Sequence, residues 1–139
     1  MITTLEEFKV YGDHRGQLVA LESNRHIPFD VKRIFFIYGT RDSIRRGNHA
    51  HFKTKQFIVA VNGSCKITLD NGREKETFTL HKANLGLFQD NLIWGSMHDF
   101  SSDCVLSVLA DRYYEVSDYI TDHDKFLDEV KEEYKIENE

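Results

Sequence analysis

The stretch that decides the fold is Arg45-Arg46-Gly47-Asn48-His49-Ala50-His51, which leads into Gln56-Phe57-Ile58-Val59-Ala60-Val61 and the turn pair Asn62-Gly63. Alternate side chains of a strand point to opposite faces, so His49 and His51 share one face of an extended segment. That face is expected to continue through Phe57, Val59 and Val61. Beyond the turn, Cys65, Ile67 and Leu69 alternate with Lys66, Thr68 and Asp70. Such apolar company places both imidazoles inside a barrel. An interior imidazole is costly unless it is hydrogen-bonded or used, so the pair is the first candidate for chemistry. The competing readings are satisfied structural histidines and a His-x-His metal pair.

Working outward, short β-rich runs alternate with turn residues from Gly16 to Ala110, the pattern of an all-β sandwich or barrel. Strands are expected at Leu18–Glu22, Lys32–Tyr38, around His49–His51, and at Gln56–Val61, Ser64–Leu69, Glu76–Leu80, Leu87–Phe88 and Val105–Ala110. Asp70-Asn71-Gly72 and Asn62-Gly63 are read as hairpin turns, because Asn and Gly tolerate positive φ. Pro28 is the only proline, which leaves strand interiors free of residues that cannot donate to a ladder. After Tyr119 the spacing of Phe126, Leu127, Val130 and Tyr134 predicts a short amphipathic C-terminal helix. No linker or repeat divides the chain, so residues 1–139 are expected to form one domain.

The totals narrow the function. With 139 residues, 40% of them apolar, the chain can bury a real core. No apolar run approaches the roughly 20 residues of a membrane span, and the acidic start MITTLEEFKV does not resemble a secretory signal; no membrane association and a cytoplasmic location are expected. A formal charge of −5 argues against a nucleic-acid surface. A small anionic ligand is still compatible, since one or two arginines can hold a diphosphate. Cys65 and Cys104 read as buried free thiols.

The segment Gly47-Asn48-His49-Ala50-His51, with Gln56 and Gly63, resembles the first cupin motif. Gln56 stands where a Glu ligand is usual, and Met97 stands where the second motif would supply a histidine, so no metal and no cofactor are expected. His98, one position on, falls on the opposite face. A wider resemblance covers almost the whole chain: it is similar to the dTDP-4-dehydro-6-deoxyglucose 3,4-ketoisomerases. The matching pieces are Arg15-Gly16, Ile27-Pro28-Phe29-Asp30-Val31-Lys32-Arg33, Arg46-Gly47-Asn48-His49-Ala50-His51, Asn62-Gly63-Ser64-Cys65, Gly86-Leu87, Trp94, Met97-His98-Asp99-Phe100, Tyr113-Tyr114-Glu115 and Asp118-Tyr119-Ile120.

The resemblance implies a cupin jelly-roll barrel that binds a dTDP-linked keto-sugar and works as a homodimer. It implies an isomerase that moves the keto group from C4 to C3, with His49 and His51 sharing the proton transfers. Imidazole suits that task because it donates and accepts near neutrality. Arg33 and Arg46 are the expected diphosphate ligands, with Arg15 near the sugar end. Phe35 shares a face with Arg33 and lines the pocket where relatives carry a tyrosine, and Gly95 stands where they often carry His or Arg. Arg15 inclines the expected product towards the galacto configuration. The alternatives are a cupin-class epimerase acting on the same sugar and a non-catalytic nucleotide-sugar binder. Within His98-Asp99 the two side chains are expected to point apart. His14, His26, His81 and His123 are read as turn or surface residues, and Trp94 as core.

Overall fold

The structure, a computed structural model, describes residues 1–138. Two five-stranded antiparallel sheets face each other. The first has the order β1 (Leu5–Glu7), β9 (Leu85–Gln89), β6 (Gln56–Asn62), β11 (Val105–Ala110) and β4 (Arg33–Ile37). The second has the order β12 (Tyr119–Ile120), β5 (Arg46–His51), β10 (Trp94–His98), β7 (Cys65–Asp70) and β8 (Lys75–Leu80). From β4 onward the chain changes sheet at every connection except the β7–β8 hairpin. That path is the cupin jelly roll expected from the sequence.

The hairpin expected at Asn62-Gly63 is a crossing instead. Both edges of β6 are filled by β9 and β11, so β7 has no edge of β6 to pair with and joins the other sheet. The run expected at Leu18–Glu22 is also displaced. The observed strand β3 (Gly16–Leu18) pairs with β2 (Tyr11–Asp13) in a separate ribbon whose residues are all exposed. Strands β1, β2, β10 and β12 lie outside the expected runs. Trp94-Gly95-Ser96-Met97-His98 contains no β-branched residue, and only its pairing with β5 and β7 makes it a strand.

Between the sheets lies a core of Ile58, Ala60, Cys65, Ile67, Leu69, Leu87, Met97, Leu106 and Val108, all buried. The interior face of β6 is therefore the one carrying Ile58 and Ala60. Phe57 and Val59, expected inside with the histidines, face the other way and pack under Ile27 and Phe29. Because β6 is buried on both faces it has no polar side to mark orientation. The loop after His51 also breaks the parity that the expectation carried across it.

Helix α1 (His123–Glu137) matches the expected amphipathic segment. Asp122 caps it, its side chain accepting from the Asp124 backbone N–H at 2.9 Å. Phe126 is fully buried against Ala50 and Ile120 on the outer face of the second sheet, with the Trp94 ring 5.7 Å away. Gln56, Gln89, Arg33, His51 and Tyr119 lie where the apolar core gives way to a polar end. Replacing Phe126 with alanine is expected to lower stability by about 3–5 kcal/mol. A urea titration and thermal melt should show this without loss of strand signal in far-UV circular dichroism.

Candidate active site

His49 and His51 project from the inner face of β5. Their placement depends on a local irregularity. In the pairing of β5 with β10, Gly95 lies opposite His49 but Ser96 lies opposite Gly47, so Asn48 is an extra, bulged residue. Gly47 has φ 83° and Asn48 has φ 55°. A side chain at Gly47 would meet the Gly95 carbonyl oxygen at 3.0 Å, so glycine is needed both for its conformation and for the close approach. Asn48 is the residue type that best tolerates the second positive φ, and its Oδ1 accepts from Ser96 Oγ at 3.1 Å. Because of the bulge, Arg46 pairs with the interior residue Met97 and so shares the face of His49, although the two are an odd number of residues apart.

The two imidazoles stand edge to face with centroids 5.1 Å apart. Tyr119, paired with His51 in β12, lies against both rings, at 4.4 Å from His51 and 5.0 Å from His49. Nδ1 of His49 lies 3.1 Å from the Gly47 carbonyl. A carbonyl can only accept, so Nδ1 carries the proton and Nε2 of the neutral ring is free to take one. His51 is only 3% exposed, and its Nε2 has no hydrogen-bond partner among the described residues. Burial pushes its pKa down from 6.5 to about 4, aided by His49 and Arg33 and opposed by Asp118. His49 is also lowered by burial, while the Gly47 carbonyl acts in the opposite sense. Both rings are therefore neutral at pH 7.

Asp118 is buried and held in place. It accepts from the backbone N–H groups of Lys53 at 2.9 Å and Thr54 at 3.1 Å, and from the Thr54 hydroxyl. It thereby locks the loop after β5 to the segment that presents Tyr119. Opposite the histidines, Arg33 is flanked by Phe35 and Tyr114, its guanidinium carbon 5.3 and 5.6 Å from their ring centroids, and its Nε is buried without a partner among the described residues. Phe35 points inward and packs on the main core. The structure thus brings together His49, His51, Arg33 and Phe35, and puts exposed Arg46 on the same face at the start of β5.

Arg15 is not among them. It lies at the tip of the exposed β2–β3 ribbon, bonded to Asp13 through its NH2 group at 2.6 Å. The expectation that it lies near the sugar end is not met within one chain, because the ribbon's strands pair only with each other. The sequence reading assigned Tyr119 no role; its signal was its pairing with His51, which a two-residue strand does not advertise. His98 faces outward, with Nε2 2.8 Å from Thr68 Oγ1, and its Nδ1 is 3.6 Å from Asp99. His123 opens α1 and reaches Asp70 at 2.9 Å, and Trp94 is half-buried beside it. Cys65 and Cys104 are buried free thiols, with Cys65 pushed up to about 12 by burial. Among the described residues no three His, Cys, Asp or Glu side chains converge in a way that would hold a metal ion. Among the described residues no helix is long and apolar enough to cross a membrane.

A jelly-roll barrel with paired imidazoles at its polar end is a cupin. Its sequence and structure narrow that class further. Residues 1–131 match the family model described as FdtA: WxcM-like, C-terminal. The chain is 47% identical over 119 residues, 86% of each chain, to TDP-4-oxo-6-deoxy-alpha-D-glucose-3,4-oxoisomerase of Aneurinibacillus thermoaerophilus. It superposes on the crystal structure of a 3,4-ketoisomerase from Helicobacter canadensis with a TM-score of 0.91 and 40% identity, covering 94% of this chain and 98% of that one. A mutant of the 3,4-ketoisomerase QdtA from Thermoanaerobacterium thermosaccharolyticum, solved in complex with TDP-4-keto-6-deoxyglucose, matches with a TM-score of 0.90 and 38% identity over 94% and 95% of the two chains. The chain belongs to this family of sugar 3,4-ketoisomerases and is an enzyme of that type.

The lowered His51 pKa has a consequence for stability. His51 is neutral when folded, whereas the unfolded chain takes up a proton below about 6.5, so between that value and about 4 the unfolded state binds more protons. Stability is therefore intact above the upper value and falls with acidification through this window, by on the order of 3 kcal/mol. Urea unfolding at neutral pH and near pH 4 should show the loss, and His51→Asn should reduce it.

Proposed function

We propose that the chain converts dTDP-4-keto-6-deoxyglucose to its 3-keto isomer, with His49 and His51 as the proton-transfer pair. The observation that carries this is the buried His51 Nε2, neutral at physiological pH and without a protein partner, set against a second imidazole by Tyr119. An orphaned nitrogen in such a place is costly unless a ligand satisfies it.

The ketone at C4 acidifies the proton on C3. One imidazole takes that proton, and the electrons of the C3–H bond form a C3–C4 double bond as the C4 carbonyl becomes an enediolate oxygen. The proton taken up is shared between the two rings and returned to C4, while the proton of the C3 hydroxyl passes to the C4 oxygen, which leaves the ketone at C3, a hydroxyl at C4 and both rings neutral again. No net electrons leave the sugar, so the reaction needs no redox cofactor. Positioned acid–base groups of this kind contribute on the order of 100- to 10,000-fold. Arg33 and Arg46, on facing walls, supply charge-assisted hydrogen bonds to the diphosphate, and Phe35 gives the pocket an apolar wall. The galacto product is favoured weakly through Arg15. Residues 1–139 act as one cupin domain in the cytoplasm, where a nucleotide-linked substrate is at hand.

A proton NMR time course of the protein with dTDP-4-keto-6-deoxyglucose in deuterated buffer is expected to show a 3-keto product and deuterium at C4. His51→Asn should slow it at least about 100-fold. An unchanged parent spectrum would overturn the reading, and solvent deuterium with the ketone still at C4 would point to an epimerase. Because the catalytic base must be neutral, kcat/KM is expected to hold at neutral pH and to fall as pH drops below the usual imidazole range.

The homodimer belongs to the same proposal. The β2–β3 ribbon pairs with neither main sheet among the described residues and exposes Tyr11 and Leu18, and the outer face of β4 exposes Ile34, Phe36 and Tyr38. A second copy would cover these surfaces and receive Arg15 at its own barrel mouth. Mixing inactive Arg15→Ala chains with inactive His51→Asn chains should then restore turnover, since a hybrid dimer holds one intact site. Failure of the mixture to recover activity would confine Arg15 to its own chain.

A further inference from the structure

Gly95 lies opposite His49 in the β5–β10 pairing and opposite Leu69 in the β7–β10 pairing, so a side chain there would enter the barrel beside the catalytic candidates. The space is already taken. A Cβ added to Gly95 would stand 2.6 Å from Nε2 of Gln89 and 3.2 Å from its Cδ and Oε1. The carboxamide of Gln89 therefore reaches across from the first sheet and fills the volume that a residue at position 95 would use.

The position of Gln89 makes it more than a filler. On the inner face of the first sheet it pairs with Gln56, which pairs with Ala110, which pairs with Arg33, so it belongs to the same cross-strand row as the arginine facing His51. It is 6% exposed, and its one hydrogen bond among the described residues runs from Nε2 to the Ile93 carbonyl at 3.0 Å. That bond fixes the carboxamide plane and leaves a second N–H and the Oε1 lone pairs available. A donor and an acceptor on one rigid group suit a hydroxyl or carbonyl oxygen of a hexose ring better than a phosphate, which would bring only acceptors.

We infer that Gln89 contacts the hexose of the keto-sugar and sets its pose before His49 and His51, taking a place that glycine at position 95 leaves open. This inference rests on the ketoisomerase reading. Gln89 binds substrate, and it takes no proton.

The test combines Gln89→Met, Gly95→Ala and the double variant, with turnover of dTDP-4-keto-6-deoxyglucose, affinity for dTDP alone, and thermal melting as readouts. Gln89→Met keeps the unbranched shape and removes the polar group. Gly95→Ala keeps the group and pushes it aside, and so tests the same contact should Gln89→Met lower the melting temperature. Each single variant is expected to lose about tenfold or more in kcat/KM with dTDP affinity unchanged. Gly95→Ala should cost nothing further in the Gln89→Met background. If the parent turns over while both single variants stay within about twofold of it, or if dTDP affinity falls in parallel with turnover, Gln89 has no role at the hexose. If the parent itself fails to turn over, the ketoisomerase reading falls and this inference with it.

Discussion

Nε2 of His51 is buried with no hydrogen-bond partner among the described residues, and much of the fold is arranged around that fact. His51 is held neutral by its surroundings, and several elements share the work of keeping it there. β12 brings Tyr119 against its ring, and Asp118 ties the preceding segment to the loop after β5 through two backbone N–H groups and the Thr54 hydroxyl. The apolar core below and Arg33 opposite both disfavour its protonation. The ring is held neutral because the fold withholds the solvation that its charged form would need.

The second determinant is the bulge at Asn48. A regular β5 would put Arg46 and His49 on opposite faces; the extra residue places both on the inner face. Its consequences reach the facing strand, where Gly47 lies against the Gly95 carbonyl and Ser96 holds Asn48. Gly47 lets β5 approach that carbonyl, and Gly95 leaves room for Gln89. The polar end of the barrel is assembled from both sheets, and each sheet determines what the other has room for.

Stability and function are separated in space. Ile58, Ile67, Leu69, Leu106 and Val108 fill the middle of the barrel, while Phe57 and Val59 on one outer face and Phe126 on the other close the structure around it. Double-sided burial of β6 gives the scaffold rigidity that positioned catalysis requires. The strands of the Tyr11–Leu18 ribbon pair with each other, outside the two main sheets.

Residue type and periodicity within one element already settle the all-β class, the shared face of His49 and His51, the inward run Cys65-Ile67-Leu69 and the C-terminal helix. Only the tertiary structure decided which sheet β7 joins, that β6 turns Ile58 rather than Phe57 inward, that Arg15 lies on a detached ribbon, and that Tyr119 and Gln89 stand at the site. The physical reason is the reach of the signal. Alternation is a local count that a loop or a bulge resets, whereas the occupancy of strand edges and of the space beside Gly95 is settled by residues far apart in the chain.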